Sequence, residues 1–226
     1  MKLIVGLLLF VVVFLSACTI TGGTTSKDDE CSALQDSAKD NCYLESMKCS
    51  KIKAVPTRDA CVVELAKIKV DLNVCNLIRG EKAQGYCQEQ IAEAVNDHAI
   101  CTNITDEYWQ NNCHFNLGVK NNKDVYCSLI SNDEQKLNCF RDIALATNNH
   151  LLCDFLAGVQ REGCITKIAV STKDLALCQE LTEALNRDVC RLKLAKETKD
   201  KKICEFIGYT DVKEVCQQHF NETKVN

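Results

Sequence analysis

The residues in this 226-residue chain best suited to chemistry are its 17 cysteines, fourteen of which follow a regular spacing. A thiol can ligate a metal, attack a substrate, accept a lipid or pair with another thiol, and spacing discriminates among these. Zinc sites use couples of thiolates about two to four residues apart, and no C-x-x-C occurs anywhere in the sequence. Covalent haem attachment and redox dithiols fail on the same absence. We therefore expect no metal and no cofactor. From Cys49 to Cys216 the intervals instead alternate near 12 and 14 residues, and this ladder suggests pairing.

The N-terminus sets the redox environment. Lys2 is followed by an apolar run from Leu3 to Leu15 and then by Ser16, Ala17 and Cys18. The run is too short for a spanning helix, which needs about 20 residues, and suits the core of a signal peptide over residues 1–17. Leu15-Ser16-Ala17-Cys18 resembles the lipobox of prokaryotic lipoproteins. The resemblance implies a mature chain that begins at Cys18, its thiol carrying a diacylglyceryl group, anchored on the extracytoplasmic face of the membrane. Residues 18–29, rich in Gly, Thr and Ser, read as a flexible tether ahead of a repeat domain at 30–226. Export to an oxidising compartment favours disulfides, and removing the lipidated cysteine leaves an even sixteen.

The sixteen are Cys31, Cys42, Cys49, Cys61, Cys75, Cys87, Cys101, Cys113, Cys127, Cys139, Cys153, Cys164, Cys178, Cys190, Cys204 and Cys216. Taken as consecutive couples they lie 11 or 12 residues apart with none left over, whereas coupling across the longer gaps strands four of them. The consecutive scheme is preferred.

Each couple anchors a repeat of about 26 residues, a period typical of solenoids. Three residues after the first cysteine stands an aliphatic residue in every unit: Leu34, Ile52, Ile78, Ile104, Ile130, Leu156, Leu181 and Ile207. Just ahead of that cysteine come Asp71, Asp97, Asp124, Asn149, Asp174 and Asp200, which read as helix N-caps. Four residues after the second cysteine come Leu65, Ile91, Leu117, Ile143, Ile168 and Leu194, followed by Ala or Gly, so a neighbouring backbone is expected close by. Three residues before it the side chain is long and polar in every unit, from Lys39 and Arg58 through Gln84, Gln110, Lys136, Arg161 and Arg187 to Lys213. A solvated helix face is the preferred reading of that set, a ligand-binding ridge the alternative.

The expected fold is all-α: a solenoid of about eight antiparallel helical hairpins, one cysteine on each helix and a disulfide across each pair. In the shortened couples, Cys31 with Cys42 and Cys153 with Cys164, the missing residue belongs between the two helices. The 7-residue gap from Cys42 to Cys49 marks the first unit as an irregular cap. The stacked helix pairs resemble tetratricopeptide and Sel1-like solenoids in architecture, without their signature residues. The lipobox and the cysteine couples together resemble cysteine-rich helical-repeat lipoproteins of archaeal and bacterial surfaces, a likeness that implies location and shape rather than a reaction.

No catalytic residue stands out. The histidines, His98, His114, His150 and His219, show no paired helical spacing; there is no G-x-S-x-G, phosphate loop or EF-hand loop, and an enzyme is not expected. The formal net charge of -4 becomes -5 once Lys2 is cleaved away, which argues against nucleic acid and anionic surfaces as partners. Two sequons, at Asn103 and Asn221, are able to carry glycans on an exported protein. Tyr108 and Trp109, the latter the only tryptophan, are candidate binding residues if exposed, although burial of Trp109 in its hairpin is the preferred reading. The leading expectation is a lipid-anchored scaffold for another surface or envelope protein, with a solute- or glycan-binding lipoprotein as the alternative.

Overall fold

The computed structural model describes residues 27–222. Cys18, its leader and most of the tether lie outside them. Helix α1 (Lys27–Ser32) begins within the last residues of the expected tether.

The array is all-α among the described residues. After α1 come α2 (Asp36–Glu45), α3 (Val55–Lys69), α4 (Glu81–Val95), α5 (His98–Cys101), α6 (Glu107–Asn121) and α7 (Asp124–Cys127). The chain continues through α8 (Asp133–Thr147), α9 (Gly158–Thr172), α10 (Ala184–Thr198) and α11 (Thr210–Glu222). Short 3-10 segments at Cys49–Lys51, Leu72–Leu77, His150–Phe155, Ala176–Glu180 and Lys201–Phe206 alternate with the long helices. Each long helix packs on the long helix before and after it and on the adjoining short segments, and on nothing more distant. This is the nearest-neighbour connectivity of a solenoid.

The eight disulfides are the consecutive couples: 31–42, 49–61, 75–87, 101–113, 127–139, 153–164, 178–190 and 204–216. Their Cα atoms stand 5.4 to 5.8 Å apart, within the reach of an unstrained bridge. The two halves of each hairpin are unequal, however. The second cysteine is always the seventh residue of a long helix, while the first sits on a segment of only one or two turns. The aliphatic residue three places on does not extend a helical face; Ile52, Ile78, Leu156, Leu181 and Ile207 take an extended conformation just beyond the short segment, and they, Ile104 and Ile130 are buried and plug the hairpin mouth. Leu34, in the cap unit, is 42% exposed instead. A single turn has no stability of its own, so the bridge and this plug hold it.

The shortened couples lose their residue where the turn lies. Both open their long helix with a residue of positive φ, Asp36 at 47° and Gly158 at 51°, which turns the chain one residue sooner. At their other ends α3, α4, α6, α8, α9 and α10 close with a left-handed residue: Val70, Asn96, Asn122, Asn148, Lys173 and Lys199. The next N–H then reaches back to the carbonyl of the small residue, from Asp71 to Ala66 through Asp200 to Ala195, the six-to-one bond of a Schellman ending. Those small residues are fully buried, and a Cβ added to Gly118 would lie 3.3 Å from the Cys139 sulfur and 3.4 Å from Tyr126. A larger side chain there would push the following unit away.

The N-cap reading holds for Asp71, Asp97, Asn149 and Asp200; Asp174 makes the same bond from one position ahead of the capping residue, Leu175. Asp71, Asp97, Asn149, Asp174 and Asp200 each accept a bond from the backbone N–H two residues on. Asp124 does not; it lies one position later, inside α7, and the capping position is Lys123, whose side chain makes no such bond.

Candidate functional site

The long polar side chains ahead of the second cysteine form neither a ridge nor a freely solvated face. They are half-buried and most fold back onto their own hairpin. Lys39 and Lys213 donate to the carbonyls of Ser32 and Glu205, Gln84 to Asn76 Oδ1 and Arg161 to Asp154 Oδ1. In each case the acceptor belongs to the residue just after the first cysteine. Gln110 reaches the Ile104 carbonyl at 3.0 Å, and Arg187 reaches those of Leu181 and Thr182 at 2.9 and 2.8 Å. Lys39, Gln110, Arg187 and Lys213 thereby satisfy backbone carbonyls in or just beyond the short segment, a task for a long donor.

One position further on, two before the second cysteine, lies a set of seams between units that the repeat pattern did not reveal. Asp40 accepts from the N–H groups of Lys53 and Ala54 at 3.0 and 2.9 Å, Asn111 from Ser131, Glu162 from the N–H and hydroxyl of Thr182, and Asp188 from Gly208 and Tyr209. In every case a buried side chain of one unit closes the loop of the next. The amides of Lys53 and Ala54 hold the Asp40 carboxyl below its usual range. Burial pushes Glu162 and Asp188 upward, but the bonds from Thr182 and from Tyr209, Arg191 and Gly208 outweigh it, so both remain ionised well into acid. Asp188 further holds Arg191, which reaches the Phe206 carbonyl at 2.7 Å.

The fourth unit differs. His98 Nε2 and His114 Nδ1 stand 2.8 Å apart and His98 stacks flat on Tyr126, ring centroids 3.6 Å apart. Burial and the neighbouring His98 depress the His114 pKa to about 4, and burial lowers His98 as well, partly opposed by Asp97. Two neutral rings sharing one proton satisfy each other. No group of three or more His, Cys, Asp and Glu side chains able to hold a metal occurs among the described residues.

Beside this pair, α4, α6 and α8 frame the polar groove that is the candidate site, about 570 Å³ in volume. It is lined by Tyr86, Trp109 and Phe115, by the amides of Gln90, Asn112, Asn116, Asn132, Gln135 and Asn138, and by Glu89, Glu134, Arg141 and Asp142. Most come from equivalent registers of successive helices, just before or two and three residues after the second cysteine. Glu89 is 2% exposed; Gln90 and Asn116 donate to it, yet burial, reinforced by Glu93, raises its pKa.

Trp109 is neither free nor sealed in its own hairpin. It packs half-buried across the unit boundary on Gly85, where an added Cβ would meet it at 3.2 Å, and against Tyr86 with centroids 4.8 Å apart. Tyr108 meets the tryptophan edge-on and is 57% exposed. Of the sequons, Asn103 is exposed and donates to the Ala99 carbonyl, and Asn221 is exposed and accepts from Lys201.

Three units along, the same helix face changes character. Lys167, Lys193, Lys196 and Lys173 line a second groove of about 660 Å³ with Val170, Ser171, Glu197 and His219. The net acidic balance is therefore not uniform. Comparison with known proteins gives no match: no protein family, no curated protein and no solved structure aligns significantly with this chain.

Proposed function

We propose that the protein is a lipid-anchored extracytoplasmic recognition scaffold, held to the membrane through Cys18 and presenting the exposed face of its long helices to a surface or envelope partner. The observation that carries this reading is the division of labour within each repeat. Cysteines, plugs, small residues and clasping side chains recur unit after unit and are occupied with holding the array together. The positions three residues beyond the second cysteine change from unit to unit and line the two grooves on one face. A rigid frame with variable surface positions suits recognition, because little conformational freedom remains to be lost on binding. The oxidised cysteines agree with an exported protein, and the C-terminal signature of the leader supplies the anchor.

The test places a photo-crosslinking residue at Asn112 or Lys193 on the face and at Lys202 on a short segment, in native membranes. Discrete adducts from the first two positions and none from Lys202 are expected; adducts from all three alike, or from none, overturn the scaffold reading. Cys18→Ser abolishes acyl labelling and releases the chain, and undiminished retention without acylation overturns the anchor. A second reading, a ligand-binding lipoprotein, is favoured by one observation: the aromatic pair Tyr86 and Trp109 beside a cluster of amides.

A further inference from the structure

The groove across α4, α6 and α8 is built for a ligand with many hydroxyl groups, and we infer that it binds a neutral saccharide; this rests on the long-helix face being a recognition surface. Three features define the ligand class. The first is the concentration of primary amides. Each offers a carbonyl acceptor and an NH2 donor in one plane, which matches vicinal hydroxyls that both donate and accept. Asn112 Oδ1 accepts from Gln135 at 2.7 Å and Asn138 Oδ1 from Arg141 at 2.7 Å. Both amides are thus held by their oxygens, their NH2 groups donate to no acceptor among the described residues, and both residues line the groove.

The second feature is the aromatic wall. Tyr86 is 38% exposed and lies against Trp109 at the α4 and α6 side of the groove. An aromatic ring offers an apolar surface beside polar groups, suited to the C–H face of a pyranose, whose edges carry the hydroxyls. The third feature is charge. Glu89, Glu134 and Asp142 outnumber Arg141, so an acidic glycan, a phosphate or a nucleic acid is repelled, and the polarity of the lining disfavours a purely apolar ligand. The volume of about 570 Å³ falls in the range of small-ligand sites and accommodates two or three sugar rings.

The single tryptophan reports on this groove directly. The full mature chain is titrated with neutral oligosaccharides of two to four hexose or N-acetylhexosamine units while Trp109 emission is followed. A saturable change is expected with at least one of them. Asn112→Ala combined with Asn138→Ala, at two positions outside the core, should weaken that binding at least 10-fold, with helical circular dichroism unchanged. Lys202→Ala, on a short segment away from the groove, should leave it unaltered. Three outcomes overturn the inference: no neutral saccharide perturbs Trp109, binding survives the double substitution in a folded chain, or a sulfated or phosphorylated ligand binds better than the neutral ones. If saccharides fail while Asn112 still crosslinks a partner in membranes, the saccharide inference falls and the scaffold stands; if both fail, the recognition face itself is refuted.

Discussion

The centre of the array and its C-terminal half share one frame but solve the packing between units differently. From the fifth unit onward the buried core is a single apolar body running from Cys127 to Cys216, with Phe140, Ile143, Ile165, Ile168, Leu181 and Leu194 within it. Its sixth, seventh and eighth units are laced by Glu162 and Asp188. Around the fourth unit the apolar core shrinks to Ala92, Cys101, Ile104, Cys113 and Leu117, and the space beside it holds the two histidines and Glu89. The third-to-fourth seam has a glycine, Gly85, in place of a carboxylate. Stability in a solenoid is the sum of unit and interface terms, so the centre is the weak link, and there the most elaborate surface groove lies.

The largest expected effect comes from removing bridges in the two regions. Cys101→Ala with Cys113→Ala and Cys178→Ala with Cys190→Ala each open a loop of the same length, so chain entropy predicts an equal loss of about 3 kcal/mol. The consequences should differ. The fourth unit has little apolar core to keep it attached, so its loss should split urea unfolding into two transitions; loss of the seventh-unit bridge should lower one cooperative midpoint. Two identical, single transitions would erase the distinction.

The seams give the next effect. Asp188→Ala strands two N–H groups and leaves Arg191 buried without its counter-charge, an expected loss of about 2 to 3 kcal/mol. Asp59, at the equivalent position of the second unit, pairs among the described residues with the adjacent Arg58 alone, and its removal should cost about 0.5 kcal/mol or less. Equal losses in equilibrium unfolding would show that the seam bonds contribute nothing.

Acid should separate the regions by pH window. The folded pKa of His114, about 4, lies below the ordinary value of 6.5, so the unfolded chain binds more protons in between. Stability is therefore intact above about 6.5 and declines as pH falls toward 4, by on the order of 2 kcal/mol. His98 falls in the same direction, and the nearby Asp97 opposes its shift only in part. The depressed carboxylates Asp40, Glu162 and Asp188 act with the same sign in a lower window, holding the seams above ordinary carboxylate pKa values near 4 and releasing them only in stronger acid. Hydrogen exchange at pH 5 should accelerate first in α5 and α6; uniform acceleration across α9 to α11 would contradict this.

The staples, plugs and small residues were legible in the sequence because each repeats one residue type at one register, and tight packing around a disulfide permits little else. The inequality of the hairpin halves was not legible. An apolar residue before a cysteine and another three after it fits a continuing helix as well as a turn whose last residue swings inward. The seam positions escaped because they carry no single chemistry: Asp40, Asp59, Gly85, Asn111, Leu137, Glu162, Asp188 and Glu214 in order. The groove escaped for the reason that makes it a candidate site, since variable residues from three helices converge only once the helices are stacked.

The smallest expected effect is a gain, and it tests whether the short segments are limited by their caps. Asp97, Asn149, Asp174 and Asp200 each bond the N–H two residues on, while Lys123 holds the same extended conformation, φ -108° and ψ 91°, without an acceptor. Its backbone N–H already bonds the Gly118 carbonyl at 2.8 Å, so a new side chain need not disturb the ending of α6. Lys123→Asp should therefore let the carboxylate accept from the Val125 N–H and stabilise the chain by about 1 kcal/mol. The gain should appear in urea midpoints and in slower exchange of α7. No gain would mean that the Cys127–Cys139 bridge and the Ile130 plug already hold this turn, and that the caps elsewhere are similarly redundant.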